Sequence, residues 1–180
     1  IAKNKAEEFN VTNNTNFQIM DFSNLKFPDN HFDAIYTSET LSHAPDLKKV
    51  LHEFYRVLKP GSRIALFEYT LDKEQAFKSS EIEVLDFVIE GSAMVGLKNF
   101  QHHKILPILK SIGFNNGMEQ NITHNILPSL VRLYRKARIA NFVVRGLGLS
   151  KYFLNTVTPS LLLPLVKKDL INYWIFTAEK

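Results

Sequence analysis

Along one stretch of the chain, apolar residues recur at three- and four-residue steps: Leu47, Val50, Leu51, Phe54, Val57 and Leu58. Lys48, Lys49, His52, Glu53 and Arg56 mostly take the opposite side, so the spacing predicts an amphipathic helix with one apolar stripe. Pro45 and Asp46 suit its start, because proline has no N–H to leave unpaired there and a carboxylate meets the positive end of the helix dipole. Lys59-Pro60-Gly61 stops it: proline cannot continue a helix, and glycine accepts the positive φ of a type II turn. The next run, Arg63 to Tyr69, is almost continuously apolar, the pattern of a strand covered on both faces.

Residues 2–9 are rich in helix formers, and Asn10 to Asn16 breaks them. Asn16 to Phe22 alternates through Phe17 and Ile19 as a short strand would, and Phe32 to Thr37 reads as a second strand after the turn signal Pro28-Asp29-Asn30. His103 to Ser111 reads as a helix despite Pro107, with Gly113 ending it; Phe114 to Thr123 and Tyr173 to Ala178 read as later strands. Strand, helix, proline-glycine turn, strand is a βαβ unit. Its right-handed crossover makes the two strands parallel, which predicts an α/β fold.

Composition bounds the picture. At 180 residues, with 45% hydrophobic and 22% charged positions, the chain is one compact unit or a piece of a larger one, not a disordered or fibrous protein. Cysteine is absent, which excludes disulfide scaffolds, cysteine nucleophiles and thiolate metal sites and fits a reducing compartment. No run reaches the roughly 18 apolar residues of a membrane span. The chain opens Ile-Ala-Lys-Asn without an initiator Met or an apolar signal core, so it is expected to begin mid-protein or to have lost its start.

The net charge of +4 is too mild to argue for nucleic acid, but its distribution is uneven. From Gln120 to Lys168 there is no acidic residue, while Arg132, Arg135, Lys136, Arg138, Arg145, Lys151, Lys167 and Lys168 lie among apolar and aromatic ones. This reads as a helical insertion with one basic and one apolar face. Such a helix either packs on its own domain with a solvated charged face, or forms a lid or membrane-facing surface with Phe142, Val143, Leu147, Leu149, Tyr152 and Phe153 at the acyl boundary. The boundaries expected are 1–124 for the core, 125–168 for the insertion and 169–180 for the last core strand.

In a doubly wound sheet, ligands bind at the carboxyl ends of the strands. The expected strands end at Asp21-Phe22, at Tyr36-Thr37-Ser38-Glu39-Thr40-Leu41-Ser42-His43, and at Glu68-Tyr69-Thr70. They bring an acid, an acid with a histidine, and an acid to one edge. A carboxylate accepts hydrogen bonds from an amine or a ribose hydroxyl, and a histidine four residues from a glutamate can orient a group or exchange a proton. Each has a plainer reading as well: Asp21 opens a turn, and His43 simply precedes the helix. Glu68, in an apolar strand, requires a partner, either internal or a ligand. His102, His103 and His124 lack a compact ligand spacing and no cysteine supports them, so no metal site is expected.

Four segments taken together carry a resemblance: Met20-Asp21-Phe22-Ser23-Asn24-Leu25-Lys26-Phe27, Phe32-Asp33-Ala34-Ile35-Tyr36, Glu39-Thr40-Leu41-Ser42-His43-Ala44-Pro45-Asp46, and Arg56-Val57-Leu58-Lys59-Pro60-Gly61. In this order they resemble the later motifs of class I S-adenosylmethionine-dependent methyltransferases. The Glu-x-x-x-His-Ala-Pro-Asp string followed by Phe67-Glu68-Tyr69-Thr70 is most similar to the sterol 24-C-methyltransferase family. The likeness covers about residues 1–75. Gly61 is the first glycine, so the family's glycine-rich cofactor loop has no counterpart before it; the resemblance therefore implies the C-terminal part of the enzyme.

The resemblance implies a Rossmann-like class I methyltransferase sheet, mostly parallel with a C-terminal antiparallel strand, lacking the first two strands and with a helical insertion before the last. It implies S-adenosylmethionine as cofactor, with Asp21, Phe22, Ser38 and Glu39 on the cofactor side. The reaction implied is methylation of an alkene carbon of a sterol or related isoprenoid lipid, with Glu39, His43 and Glu68 as catalytic candidates and Tyr36 and Tyr69 against the acceptor. A cytoplasmic protein, peripheral on endoplasmic reticulum or lipid droplet membrane, would suit such a substrate. An O- or N-methyltransferase on another lipid or small molecule, or a catalytically silent lipid-binding module, are the other readings.

Overall fold

The computed structural model describes residues 1–71, 77–147 and 158–180. The chain opens with helix α1 (Ala2–Glu8) and a 3₁₀ turn (Thr12–Asn14), and enters the sheet at β1 (Phe32–Ser38). Helix α2 (Leu47–Val57) carries it to β2 (Leu58–Leu71), and helices α3 (Ser79–Ser92) and α4 (His102–Ile112) to β3 (Asn115–Asn121). Helix α5 (Thr123–Gly146) and helix α6 (Pro159–Val166) precede the last strand, β4 (Ile171–Glu179).

The sheet order is β1-β2-β4-β3; β1 and β2 pair in parallel, and β4 runs antiparallel to both of its neighbours. The predicted βαβ unit and the antiparallel final strand are therefore present. Because β4 runs opposite, its start at Ile171–Tyr173 lies beside the C-terminal end of β2, opposite Leu71–Tyr69. Asn121, ending β3, pairs with Trp174. The carboxyl ends of β1, β2 and β3 thus share one edge with the beginning of β4.

The predicted stripe of α2 is its buried face: Val50, Leu51, Phe54 and Val57 are buried, and the first three join Ile64 and Leu66 of β2 in the main apolar core. Asp46 caps the helix by accepting the Lys49 N–H at 3.0 Å, which satisfies one of the donors a helix start leaves unpaired. Gly61 takes φ 77° within β2, where the pairing with β1 shifts register between Leu58 and Arg63. Its N–H donates to Lys180 O at 2.8 Å and Lys180 N–H returns to Ser62 O at 2.9 Å, closing the far end of the sheet. Ile105 and Leu109 of α4, with Ile171 and Phe176 of β4, complete the same core.

One predicted element is absent. Asn16 to Phe22 forms no strand, and Ile19 is fully exposed. Alternation needs a neighbouring strand to take its backbone groups, and no strand among the described residues pairs with this segment. The stretch that follows is held by side chains instead. Glu53 accepts the Leu25 N–H at 2.9 Å, and Arg56 donates to Leu25 O at 3.0 Å, Phe27 O at 2.9 Å and Asp29 Oδ1 at 2.8 Å. Arg56 also grips Glu53 through Nε at 3.0 Å and Nη2 at 2.9 Å. The guanidinium fork of α2 therefore fixes the loop that carries Asp21 and Phe22.

Candidate active site

β1 ends in a sharp reversal. Glu39 adopts φ 53° and its N–H donates to Phe67 O at 2.8 Å. The chain then enters a 3₁₀ turn, Leu41–His43, whose first N–H groups have no partner within the turn. Glu68 supplies the acceptor: Oε1 takes the Thr40 N–H at 2.8 Å and the Leu41 N–H at 2.7 Å, and Oε2 takes the Ser42 N–H at 3.4 Å. The partner required for this fully buried carboxylate is thus internal. Burial nonetheless raises the Glu68 pKa: desolvation outweighs the three N–H donors, and the nearby Glu39 adds to the rise.

Glu39 itself is exposed. Its Oε1 accepts from the Tyr173 hydroxyl at 3.3 Å, and Tyr173 packs edge-on against Tyr69 with ring centroids 4.6 Å apart. Burial pushes the Tyr173 phenol up to about 12, while a hydrogen bond with Ser38 pulls it back. Tyr69 is raised further by burial and by Glu39. Both phenols therefore stay protonated at neutral pH, and Tyr173 can donate to Glu39. Two carboxylates and two aromatic rings thus meet at the sheet edge.

His43 lies on the exposed side of the same turn and its Nδ1 is 2.9 Å from Ala93 O. A carbonyl only accepts, so the hydrogen bond puts a proton on Nδ1 and turns Nε2 away from that contact. The turn is clamped from the α3 side as well: Gly96 N–H donates to Ser42 O at 2.8 Å. A Cβ on Gly96 would sit 2.6 Å from Ala44 O and 2.9 Å from Ser42 O, so only glycine permits this approach.

Asp21 lies in an exposed turn, where its Oδ1 takes the Ser23 N–H at 2.7 Å, an interaction that holds its pKa low. Apart from Ser23, its carboxylate has no hydrogen-bond partner among the described residues. Phe22, next to it, packs half-buried against the core. Tyr36 stands 79% exposed on β1 and makes no ring contact with the Tyr69–Tyr173 pair. The structure thus brings Ser38, Glu39, Glu68 and Tyr69 together, with His43 on the same turn, and leaves Tyr36 outside the cluster. Tyr173 was missed by sequence reasoning; only the antiparallel register Tyr69↔Tyr173 brings it here. Thr123 joins from the start of α5, its Oγ1 accepting the Tyr173 N–H at 2.8 Å.

Residues 1–66 match the family described as "Methyltransferase domain". The chain is 36% identical over 102 residues to 24-methylenesterol C-methyltransferase 2 of Arabidopsis thaliana, an alignment covering 56% of the chain and 28% of that protein. It is 30% identical over 124 residues to the sterol 24-C-methyltransferase ERG6 of Saccharomyces cerevisiae, covering 69% of the chain and 32% of that protein. Among solved structures, geranyl diphosphate C-methyltransferase of Streptomyces coelicolor A3(2) superposes with a TM-score of 0.71 at 13% identity, over 98% of this chain and 58% of that one. Over residues 1–66 the chain thus resembles a methyltransferase domain, and it shares the Rossmann-like α/β fold of the solved geranyl diphosphate C-methyltransferase. Its sequence also resembles the sterol C-methyltransferases, and it spans about a third or less of their length.

Proposed function

We propose that this chain forms the acceptor side and the adenine side of an enzyme that methylates an alkene carbon of a sterol or related isoprenoid lipid. The observation that carries the reading is the joining of Glu39, Tyr173, Tyr69 and Glu68 at one sheet edge, in a chain whose alignments include several sterol C-methyltransferases. S-adenosylmethionine, when bound, supplies an electrophilic methyl group. Asp21 and Phe22 suit its adenine end: an exposed carboxylate can accept from an exocyclic amine, and the adjacent ring can pack against the base.

Adding a methyl group to an alkene leaves positive charge on the neighbouring carbon, and a proton must then be lost to restore the double bond. Glu39 contributes the negative charge and the Tyr69 and Tyr173 rings the electron-rich faces that stabilise such a cation. Tyr173 holds Glu39 in place. Glu68 acts through the backbone, fixing the 40–42 amides and so the positions of Glu39 and His43. His43 Nε2, free of its own backbone contact, is the base. Ser38 supports Tyr173. Tyr36, exposed and apart from the cluster, meets the acceptor only if the acceptor extends across β1.

Incubating the complete protein with methyl-labelled S-adenosylmethionine and an unsaturated sterol tests the reading. Label in the sterol fraction supports it, whereas label confined to amines or hydroxylated small molecules would indicate an N- or O-methyltransferase.

A further inference from the structure

Helix α5 has a face that the domain does not use. Leu130 and Ala137 are buried, and Ile126, Leu127, Val131 and Tyr134 pack against the core, so one side of the helix is the docked side. At three- and four-residue steps on the other side come Arg132, Arg135, Ile139 and Phe142, all exposed. Ile139 is 71% and Phe142 83% exposed, so the core formed by the described residues does not take in this stripe. Lys136 and Arg138 flank it, and among the described residues neither these two nor Arg132 and Arg135 have a carboxylate within ion-pair distance.

We infer that this face of α5 rests on an anionic bilayer, with the cations at the phosphates and Ile139 and Phe142 in the acyl boundary. Charge complementarity and apolar exposure coincide on this face. No acidic residue occurs from Gln120 to Lys168, so nothing in this segment offsets the basic stripe. A shallow depression of about 570 Å³ lined by Tyr134, Arg135, Arg138, Ile139 and Phe142 gives room for part of a lipid chain beneath the guanidinium groups. A nucleic-acid backbone would satisfy the cations but offer nothing to an exposed isoleucine and phenylalanine, whereas a bilayer surface satisfies both. No helix among the described residues is long and apolar enough to cross a membrane.

The structure also narrows the segment expected to face the membrane. Lys168 leaves it, because its Nζ lies 2.7 Å from Glu81 Oε1 and ties the end of α6 to α3. Leu149, Lys151, Tyr152 and Phe153 lie outside the described residues, as do the side chains of Val143 and Arg145. The proposal rests on α5 alone and does not depend on methyl transfer.

Co-sedimentation of the complete protein with vesicles tests it, comparing phosphatidylcholine alone with a phosphatidylcholine–phosphatidylserine mixture at low salt and at about 1 M salt, where the Debye length is about 3 Å. Binding to the anionic vesicles is expected to weaken roughly a hundredfold in an R132Q/R135Q/R138Q variant, about fivefold per cation at a charged surface. Ile139→Ser/Phe142→Ser is expected to weaken it by about tenfold or more while circular dichroism stays unchanged, since both side chains are exposed. Lys104→Gln/Lys110→Gln, on exposed positions of α4, is expected to bind as wild type. Equal binding to neutral vesicles, no binding to either, loss in the α4 variant equal to that in the α5 variant, or displacement by RNA without effect of Ile139→Ser/Phe142→Ser would each overturn the assignment.

Discussion

The Glu68 carboxylate and the Leu41 backbone amide lie 2.7 Å apart, both fully buried, and the same carboxylate also takes the Thr40 and Ser42 amides. A side chain on one strand thereby sets the backbone path of the turn leaving the next. Glutamine in its place keeps one acceptor for the Thr40 and Leu41 amides but sets an NH₂ against the Ser42 N–H. Glu68→Gln is expected to cost about 1–3 kcal/mol in denaturant unfolding and to lower turnover, because Glu39 and His43 ride on the turn. Unchanged stability would mean that the turn holds itself.

Gly96 presses on the same turn from the opposite side. Gly96→Ala is expected to destabilise by about 2 kcal/mol or more, since its Cβ would meet two backbone oxygens and not the end of a flexible side chain. Gly61→Ala is the control: nothing lies within 4 Å of a Cβ there and only the positive φ is strained, so about 1 kcal/mol is expected. Equal losses for the two would show that the close approach at Gly96 is relieved by movement of the turn.

Tyr173→Phe removes the hydroxyl that holds Glu39 and leaves the ring. Turnover is expected to fall about tenfold with the cofactor KM unchanged, because a group positioning the acceptor site matters to the reaction step and not to cofactor capture. Asp21→Ala should do the reverse, raising the cofactor KM with little loss of stability, since the side chain is exposed. Steady-state kinetics varying each substrate separately distinguishes the two; a Tyr173→Phe effect confined to cofactor KM would move Tyr173 to the other half of the site.

Acid should loosen the Asp21 loop. Hydrogen bonding to Arg56 holds the Glu53 carboxyl below its ordinary value of 4.5. A group with a depressed folded pKa contributes stability above its unfolded value and loses it as pH falls through the folded one. The wild-type melting temperature should therefore drop more steeply than that of Glu53→Gln between about pH 5 and about pH 3, with the variant already less stable at neutral pH. Parallel pH profiles would show that Glu53 is not coupled to folding.

Local pattern disclosed much of this architecture. The stripe of α2, the stop at Lys59-Pro60-Gly61 and the apolar run of β2 each depend on neighbours in sequence, so the βαβ unit was legible. Asn16–Phe22 shows the limit: its alternation describes which side chains would share a face, but a strand exists only where a second strand accepts its backbone groups. The candidate cluster was legible where motif residues lie at or near strand ends, as at Ser38, Glu39 and Glu68. It was not legible at Tyr173, which reaches Glu39 through long-range register, nor at Gly96, whose constraint is the approach of a distant carbonyl. The internal partners of Glu68 are backbone amides, and no residue type announces those.

The most direct test of the account is where the methyl group goes and whether Glu39 sends it there. The complete protein and its Glu39→Gln variant would be incubated with CD₃-labelled S-adenosylmethionine and an unsaturated sterol, and the lipid extract analysed by mass spectrometry and NMR. The account predicts a CD₃ group on a former alkene carbon, with the rate reduced about a hundredfold or more in Glu39→Gln while cofactor binding is retained. Label bonded to oxygen or nitrogen, or an undiminished rate in Glu39→Gln, would contradict it.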